Sequence, residues 1–137
     1  MLSRMTRNRL AAFYRRYNAC CNEHRFEDIA QFVARDVAID GAPRGLDAYA
    51  EELRAVVRAL PDYHWELRRL LIDPPWIAAH LADTGTHRGS FLGVAATGRS
   101  VSVPEFAFYR IEAERIAEVW GSAFGVHLLQ QIRQEDP

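Results

Sequence analysis

The sequence predicts an α+β domain in which three N-terminal helices lie on one face of a curved antiparallel sheet. Up to Leu60, apolar side chains recur at three-and-four spacing, the period of a helix with one buried face. After Pro61 the period drops to two, as in half-buried strands. Glycine and proline punctuate this second half at turn positions. Helices followed by a strand meander pack as a sheet with helices segregated to one side.

The first helix runs from about Ser3 to Cys21, with Leu10, Phe13, Tyr14, Tyr17 and Cys21 on one face. A second short helix turns Phe26, Ile29, Phe32 and Val33 inward, and Asp36 to Asp40 alternates as a short strand. After the turn Gly41-Ala42-Pro43-Arg44-Gly45, a third helix covers Leu46 to Leu60 and Pro61 ends it. Tyr63, Trp65 and Leu67 alternate with polar residues as a strand, and Asp73-Pro74-Pro75 turns the chain. Long strands follow at Trp76–Arg88 and Val101–Ile111, joined by a glycine-punctuated connection from Gly89 to Gly98. Glu112 to Glu114 is a tight turn, Arg115 to Trp120 the last clear strand, and Phe124 to Ile132 a short helix.

The 137 residues fit one domain, 1–137, with no repeat or linker to divide it. Hydrophobic residues make up 49% and charged residues 26%, which excludes a disordered or fibrous chain. The net charge of -1 supplies no basic field, so no nucleic-acid partner is expected. No apolar run reaches membrane-spanning length, and Met1 to Leu10 lacks the apolar core of a secretory signal, so neither a membrane nor export is expected. Cys20 and Cys21 are adjacent, a poor arrangement for a bridge, and a reduced, cytoplasmic setting follows. All 17 basic residues are arginine, which rules out a Schiff-base lysine and a P-loop lysine. The five histidines show no metal-ligand pairing and there is no nucleotide loop, so neither metal nor cofactor is expected.

The run Gly85-Thr86-His87-Arg88-Gly89-Ser90-Phe91-Leu92-Gly93-Val94-Ala95-Ala96-Thr97-Gly98-Arg99 resembles the GTHxGxFxGxxxTGR stretch of SnoaL-like polyketide cyclases. Pro61-Asp62-Tyr63, Tyr109-Arg110-Ile111 with Ile116-Ala117-Glu118-Val119-Trp120, and Leu128-Leu129-Gln130-Gln131-Ile132 resemble further segments of that family. Tyr14 to Asn18 and Gly45-Leu46-Asp47-Ala48 also fit, so the likeness covers nearly the whole chain. It implies the nuclear-transport-factor-2-like cone, a curved sheet wrapped around helices with a deep apolar pocket at one end. It also implies a small cofactor-free protein of secondary metabolism. The namesakes close a polyketide ring by an aldol reaction, while relatives open epoxides, isomerise, hydrolyse, assist hydroxylation or only bind ligands. Fold does not choose among these. One departure matters: the family's aldol base is an Asp four residues after the hairpin Trp, and from Trp120 that count reaches Phe124. A phenylalanine cannot take a proton, so another group carries the chemistry or the chemistry differs.

A cofactor-free pocket enzyme needs an ionisable group facing an apolar cavity, where burial moves its pKa. Glu105 is the leading candidate, because it shares a strand face with Val101, Val103, Ala107 and Tyr109. The competing reading is that Phe106 and Phe108 mark the inner face, or that Pro104 introduces a bulge that resets parity. His87 shares a face with Asp83, which either orients it or lies too far along the strand; a loop-fixing hydrogen bond is the plainer role. His80 sits beside Ala78 and Ala82, small neighbours that suit a cavity, although a lone strand histidine is more often structural. Asp62 opens a strand, where turn capping is the plainer role. Asp40 lies near the place where ketosteroid-isomerase relatives carry a catalytic Asp. For substrate binding the candidates are Tyr14, Tyr17, Asn18 and Tyr49 on helix faces, with Trp65, Trp120 and Phe124 as walls; ordinary core packing is the alternative for the aromatics.

The sequence thus points to a tailoring enzyme of natural-product biosynthesis that holds a hydrophobic, polyketide-like substrate in an apolar pocket. Its acid/base chemistry would be ring closure, epoxide opening or isomerisation. The rival is a non-catalytic ligand-binding or hydroxylation-assisting protein, favoured by Phe124. A third possibility is a protein that binds partners through the outer sheet face. Bulky residues on both faces of Phe106 to Ile111 predict a homodimer.

Overall fold

The computed structural model describes residues 5–121 and 124–133, the side chains of 124–126 excepted. Helix α1 spans Arg7–Asn22 and starts at Thr6, whose hydroxyl oxygen accepts the Arg9 N–H at 3.2 Å. It buries the expected stripe of Leu10, Phe13, Tyr14, Tyr17 and Cys21, and Cys20 as well. The Ser3 start lies outside the described residues.

The second helix is a single 3-10 stretch, Phe26–Gln31, which buries Phe26 and Ile29. Val33 does not belong to it. That residue opens strand β1 (Val33–Ile39), which starts earlier than the alternation at Val37 and Ile39 suggests. Strand β1 pairs in parallel with the last strand, and its ladder is interrupted between Val33 and Ala38. That irregularity is why a clean period of two is missing there. Gly45, at a φ of +86°, precedes helix α2 (Leu46–Ala59), which buries Tyr49, Ala50, Val56 and Ala59.

Strands β2 (His64–Asp73), β3 (Trp76–Thr86), β4 (Ser100–Glu112) and β5 (Arg115–Gly121) form an antiparallel meander. With β1 they make an open five-stranded sheet in the order β1-β5-β4-β3-β2. Strand β2 runs past Leu67 through a bulge between Leu67 and Arg69, beyond which Arg68 and Arg69 are exposed and the alternation fades. The β4–β5 turn places Ala113 and Glu114 at φ of +49° and +60°. That is the left-handed geometry of a tight hairpin, adopted here without a glycine. Helix α3 (Phe124–Arg133) buries Leu128 and Ile132. Gln131 clasps Ser102 of β4, accepting its N–H at 2.9 Å and donating to its carbonyl at 2.6 Å. Among the described residues no helix is long and apolar enough to cross a membrane.

The β3–β4 register runs unbroken from Trp76↔Arg110 to Thr86↔Ser100, so Pro104, paired with Ala82, does not reset the parity. It lies beyond the last β5 rung, Ala107↔Gly121, where a missing N–H costs no bond to β5. Val101, Val103, Ala107 and Tyr109 are buried, while Phe106 and Phe108 are 52% and 57% exposed. The Glu105 face of β4 is therefore the inner face.

The glycines of the 85–98 segment have steric reasons. A Cβ on Gly85 would meet Leu60 and Tyr63 at 3.1–3.2 Å. One on Gly89 would stand 2.7 Å from the Arg58 carbonyl oxygen. This close approach lets the Arg88 and Gly89 N–H groups both donate to the Ala59 carbonyl at 2.9 Å, closing the end of α2. Gly89→Ala should force the loop off α2 and cost about 1–3 kcal/mol, the usual penalty of overpacking. Chemical denaturation read by circular dichroism checks this, and an unchanged midpoint contradicts the steric account.

Candidate active site

A cavity of about 150 Å³ lies between α1, α2 and the inner face of the sheet. From α1 it receives Tyr14, Tyr17, Asn18 and Cys21. Helix α2 adds Tyr49, Leu53 and Val56, and the sheet adds Trp65, Leu81, Glu105, Ala107, Tyr109 and Val119. Asp40, Glu52 and Gly121 are exposed lining residues and mark the mouth.

Each wall follows from its local pattern. Tyr14, Tyr17 and Cys21 are spaced by three and four on α1 and so share the face turned to the sheet. Glu105, Ala107 and Tyr109 alternate along β4 and meet them from below. Four phenols converge in the cavity: Tyr17 hydrogen-bonds Tyr49, and the Tyr14 and Tyr109 hydroxyls lie 3.2 Å apart. Burial pushes all four far above the ordinary phenol range. They remain neutral hydroxyls, able to donate to a substrate oxygen. Burial also pushes the Cys21 thiol up, which keeps it from being a thiolate nucleophile.

Glu105 is the carboxyl in the wall of this apolar site. Its Oε1 is buried and receives no hydrogen bond. Behind it, on β3, stands Asp83, wholly buried. The register pairs Leu81 with Glu105 and Asp83 with Val103, so the two carboxyls are diagonal neighbours on one sheet face. Asp83 Oδ2 accepts the Tyr63 hydroxyl at 2.9 Å, while Oδ1 has no donor. Burial first, and then the adjoining Glu105 carboxyl, raise Asp83 well above the usual carboxylate range, against the Tyr63 bond, which lowers it.

The other candidates are distributed differently. Asp83 does not orient His87. The His87 Nδ1 accepts the Thr97 N–H at 3.2 Å and lies 2.9 Å from the Thr97 hydroxyl. Main-chain bonds His87 N–H to Arg99 and Gly98 N–H to His87 close the same loop, so His87 is a buried latch outside the cavity. His80 lies on the outer face, stacked on Phe106 at 4.6 Å, because its parity on β3 is opposite to that of Leu81 and Asp83. Asp62 is exposed and caps Thr86, accepting its N–H at 2.7 Å and its hydroxyl at 2.8 Å. Those bonds outweigh partial desolvation and hold its carboxyl below the usual range. Asp40 reaches only the mouth, where Oδ1 accepts the Gly121 N–H at 3.1 Å. Trp120 is 41% exposed, covers Gly41 and donates to Glu118, so it is not a cavity wall. The side chain of Phe124 lies outside the described residues. Tyr14, Tyr17, Asn18, Tyr49, Trp65 and Glu105 do come together around one space.

Sequence reasoning set Tyr109 on the Glu105 face without making it a site residue, and left out Tyr63 and the pairing of Asp83 with Glu105. Counting by twos from Glu105 reaches Tyr109; the Asp83 contact is set by a register that no local pattern reveals. Among the described residues no three His, Cys, Asp or Glu side chains gather as a metal would require.

Similarity to other proteins agrees with this architecture. No curated protein sequence matches the chain. A SnoaL-like polyketide cyclase from Agrobacterium tumefaciens is 28% identical, superposes with a TM-score of 0.77, and covers 88% of this chain and 97% of its own. TsrD from Streptomyces laurentii superposes with a TM-score of 0.82 at 20% identity, over 94% of this chain and 98% of its own. IdmH from Streptomyces antibioticus gives a TM-score of 0.74 at 19% identity, over 87% and 96%. Residues 11–132 match the family model described as SnoaL-like polyketide cyclase, and the chain belongs to that family.

Proposed function

We propose that this protein is a small enzyme of natural-product biosynthesis that rearranges a polyketide-like substrate by acid/base chemistry without a cofactor. Glu105 carries the proton and the tyrosine hydroxyls hold the reacting oxygen. The observation behind this reading is a carboxyl oxygen buried without a donor in the wall of an apolar cavity lined by four neutral phenols. Such a group is desolvated and free to exchange a proton with a bound molecule. Ring closure and isomerisation share that first requirement. Relatives named as polyketide cyclases support the substrate class. A cavity of about 150 Å³ holds roughly one benzene-sized ring. A larger substrate must place its reacting ring inside and the remainder at the mouth between Asp40 and Glu52.

The second reading is a non-catalytic ligand carrier, favoured by Phe124 at the family's usual base position. The two separate on a fused-ring ketone such as β-tetralone in heavy water. The enzyme reading expects deuterium uptake beside the carbonyl, and the carrier reading expects quenching of Trp65 fluorescence with no uptake. Glu105→Gln should lower the uptake rate by roughly 10²–10⁴-fold, the usual share of general acid–base catalysis, while binding survives. A near-wild-type rate in that variant removes Glu105 from the chemistry.

The reading extends to assembly and location. The outer sheet face carries Leu71, Ala78, Phe108 and Trp120 as one cross-strand row over four strands. Leu71 and Phe108 are 69% and 57% exposed. An apolar stripe of this kind calls for a cover, and a second copy of the sheet supplies it. The free, buried thiols of Cys20 and Cys21 are compatible with a reducing cytoplasm. Light scattering at micromolar concentration should give twice the chain mass of 15.6 kDa, and Phe108→Glu should return it to a monomer. A monomer in the wild type contradicts the assembly.

A further inference from the structure

The mechanism above uses Glu105 alone, yet the structure sets a second carboxyl against it. Among the described residues, Asp83 Oδ1 and Glu105 Oε1 are both buried and neither receives an N–H or O–H. The two side chains are diagonal neighbours across the β3–β4 ladder. Two carboxyl oxygens brought together without a donor repel unless one of them carries a proton, and only a carboxyl proton can join them. The groups around them do not relieve the charge. From α1 they face Tyr14 and Cys21, from α2 Tyr49, from the start of β2 Tyr63, and from β4 Tyr109. All five are weak acids held neutral by burial.

We propose that Asp83 is the positioning partner of Glu105: the two carboxyls share one proton, and Tyr63 fixes Asp83 from behind so that Glu105 serves the cavity as a proton acceptor. This rests on the acid/base reading above and deepens it. With one proton the pair carries a single negative charge. Accepting a second proton makes it neutral, which an apolar cavity favours. Releasing the first makes it doubly negative in the same cavity, which is strongly disfavoured.

The order of events follows from that asymmetry. A substrate C–H or O–H bond breaks first, and its proton moves to a Glu105 oxygen. The electron pair stays on the substrate as an enolate or alkoxide, whose oxygen accepts hydrogen bonds from the phenols. The proton returns to the product and regenerates the singly protonated pair. The substrate class is therefore a carbon or hydroxyl acid beside a carbonyl, and not an epoxide that must be protonated before it opens.

The pairing is testable without turnover. In a carboxyl-carbon NMR titration of the wild-type protein, Asp83 should protonate well above the other aspartates. In Glu105→Gln the like charge is gone, and the Asp83 midpoint should fall by roughly 1–3 pH units. An Asp83 midpoint that is unmoved in Glu105→Gln, or that lies among the ordinary aspartates in the wild type, overturns the pair while leaving Glu105 open as a lone base.

Stability gives a second readout. Asp83 binds its proton more tightly folded than unfolded, so its contribution is present at low pH and is lost as pH rises from the unfolded aspartate range toward the folded value. The melting temperature of the wild type should therefore fall between about pH 5 and about pH 9 more steeply than that of Asp83→Asn. Parallel slopes count against the proposal. Kinetics then tell positioning from packing: on β-tetralone, Asp83→Asn should lower kcat with little change in KM and alter the pH profile, whereas a merely structural loss leaves the profile unchanged.

Discussion

The β3–β4 ladder is the constraint on which the site depends. Its register is unbroken from Trp76↔Arg110 to Thr86↔Ser100, so one parity holds along both central strands. That parity turns Leu81, Asp83, Glu105, Ala107 and Tyr109 toward the helices and turns His80, Phe106 and Phe108 away. A one-residue slip would exchange the two sets and leave a carboxylate in water and phenylalanines in the cavity. Helices α1 and α2 turn their apolar stripes toward this inner face and roof it. The glycines at 85 and 89 let the chain pass close to Leu60, Tyr63 and the end of α2.

Electrostatics divides the site in two. The phenols of Tyr14, Tyr17, Tyr49 and Tyr109 are raised by burial and remain donors. The carboxyls of Glu105 and Asp83 stand on the sheet side. Tyr14 and Tyr17 come from α1 and Tyr49 from α2, while Tyr109 shares β4 with Glu105. The surface ion pairs do not contribute to this division. Arg110 with Glu118 and Arg44 with Glu52 lie at the outer face and the rim, where water screens them.

The legible parts were those governed by short-range periodicity. The α1 and α2 stripes could be counted from apolar positions, and the glycine-rich motif led to the correct family, whereas apolar residues on both faces of β4 left its inner face open until the unbroken register fixed it. The order β1-β5-β4-β3-β2 was less accessible. The parallel pairing of β1 with β5 joins residues more than half the chain apart, and the shift between Val33 and Ala38 hides the period that would reveal the strand. His80 and His87 show the same limit. Residue type made both chemical candidates, but His87 closes its loop through Thr97 and His80 stacks on Phe106, contacts decided by tertiary structure. Asp83 was visible as a polar residue on an apolar face, but its neighbour across the ladder was not.

The depth of Glu105 bears on where in the cavity the proposed chemistry occurs. The chain leaves β5 at Gly121, which lines the mouth beside Asp40. Glu105 instead comes from the sheet, among Leu81, Ala107 and Tyr109. On the proposed function, only the ring inserted into the cavity reaches Glu105. A rim carboxylate keeps water and an ordinary affinity for protons, whereas a carboxyl on the floor must balance its charge locally. With neutral phenols for neighbours, the available means is a proton shared with the carboxyl beside it. In the proposed pair that second carboxyl is Asp83, held from behind by the Tyr63 hydroxyl.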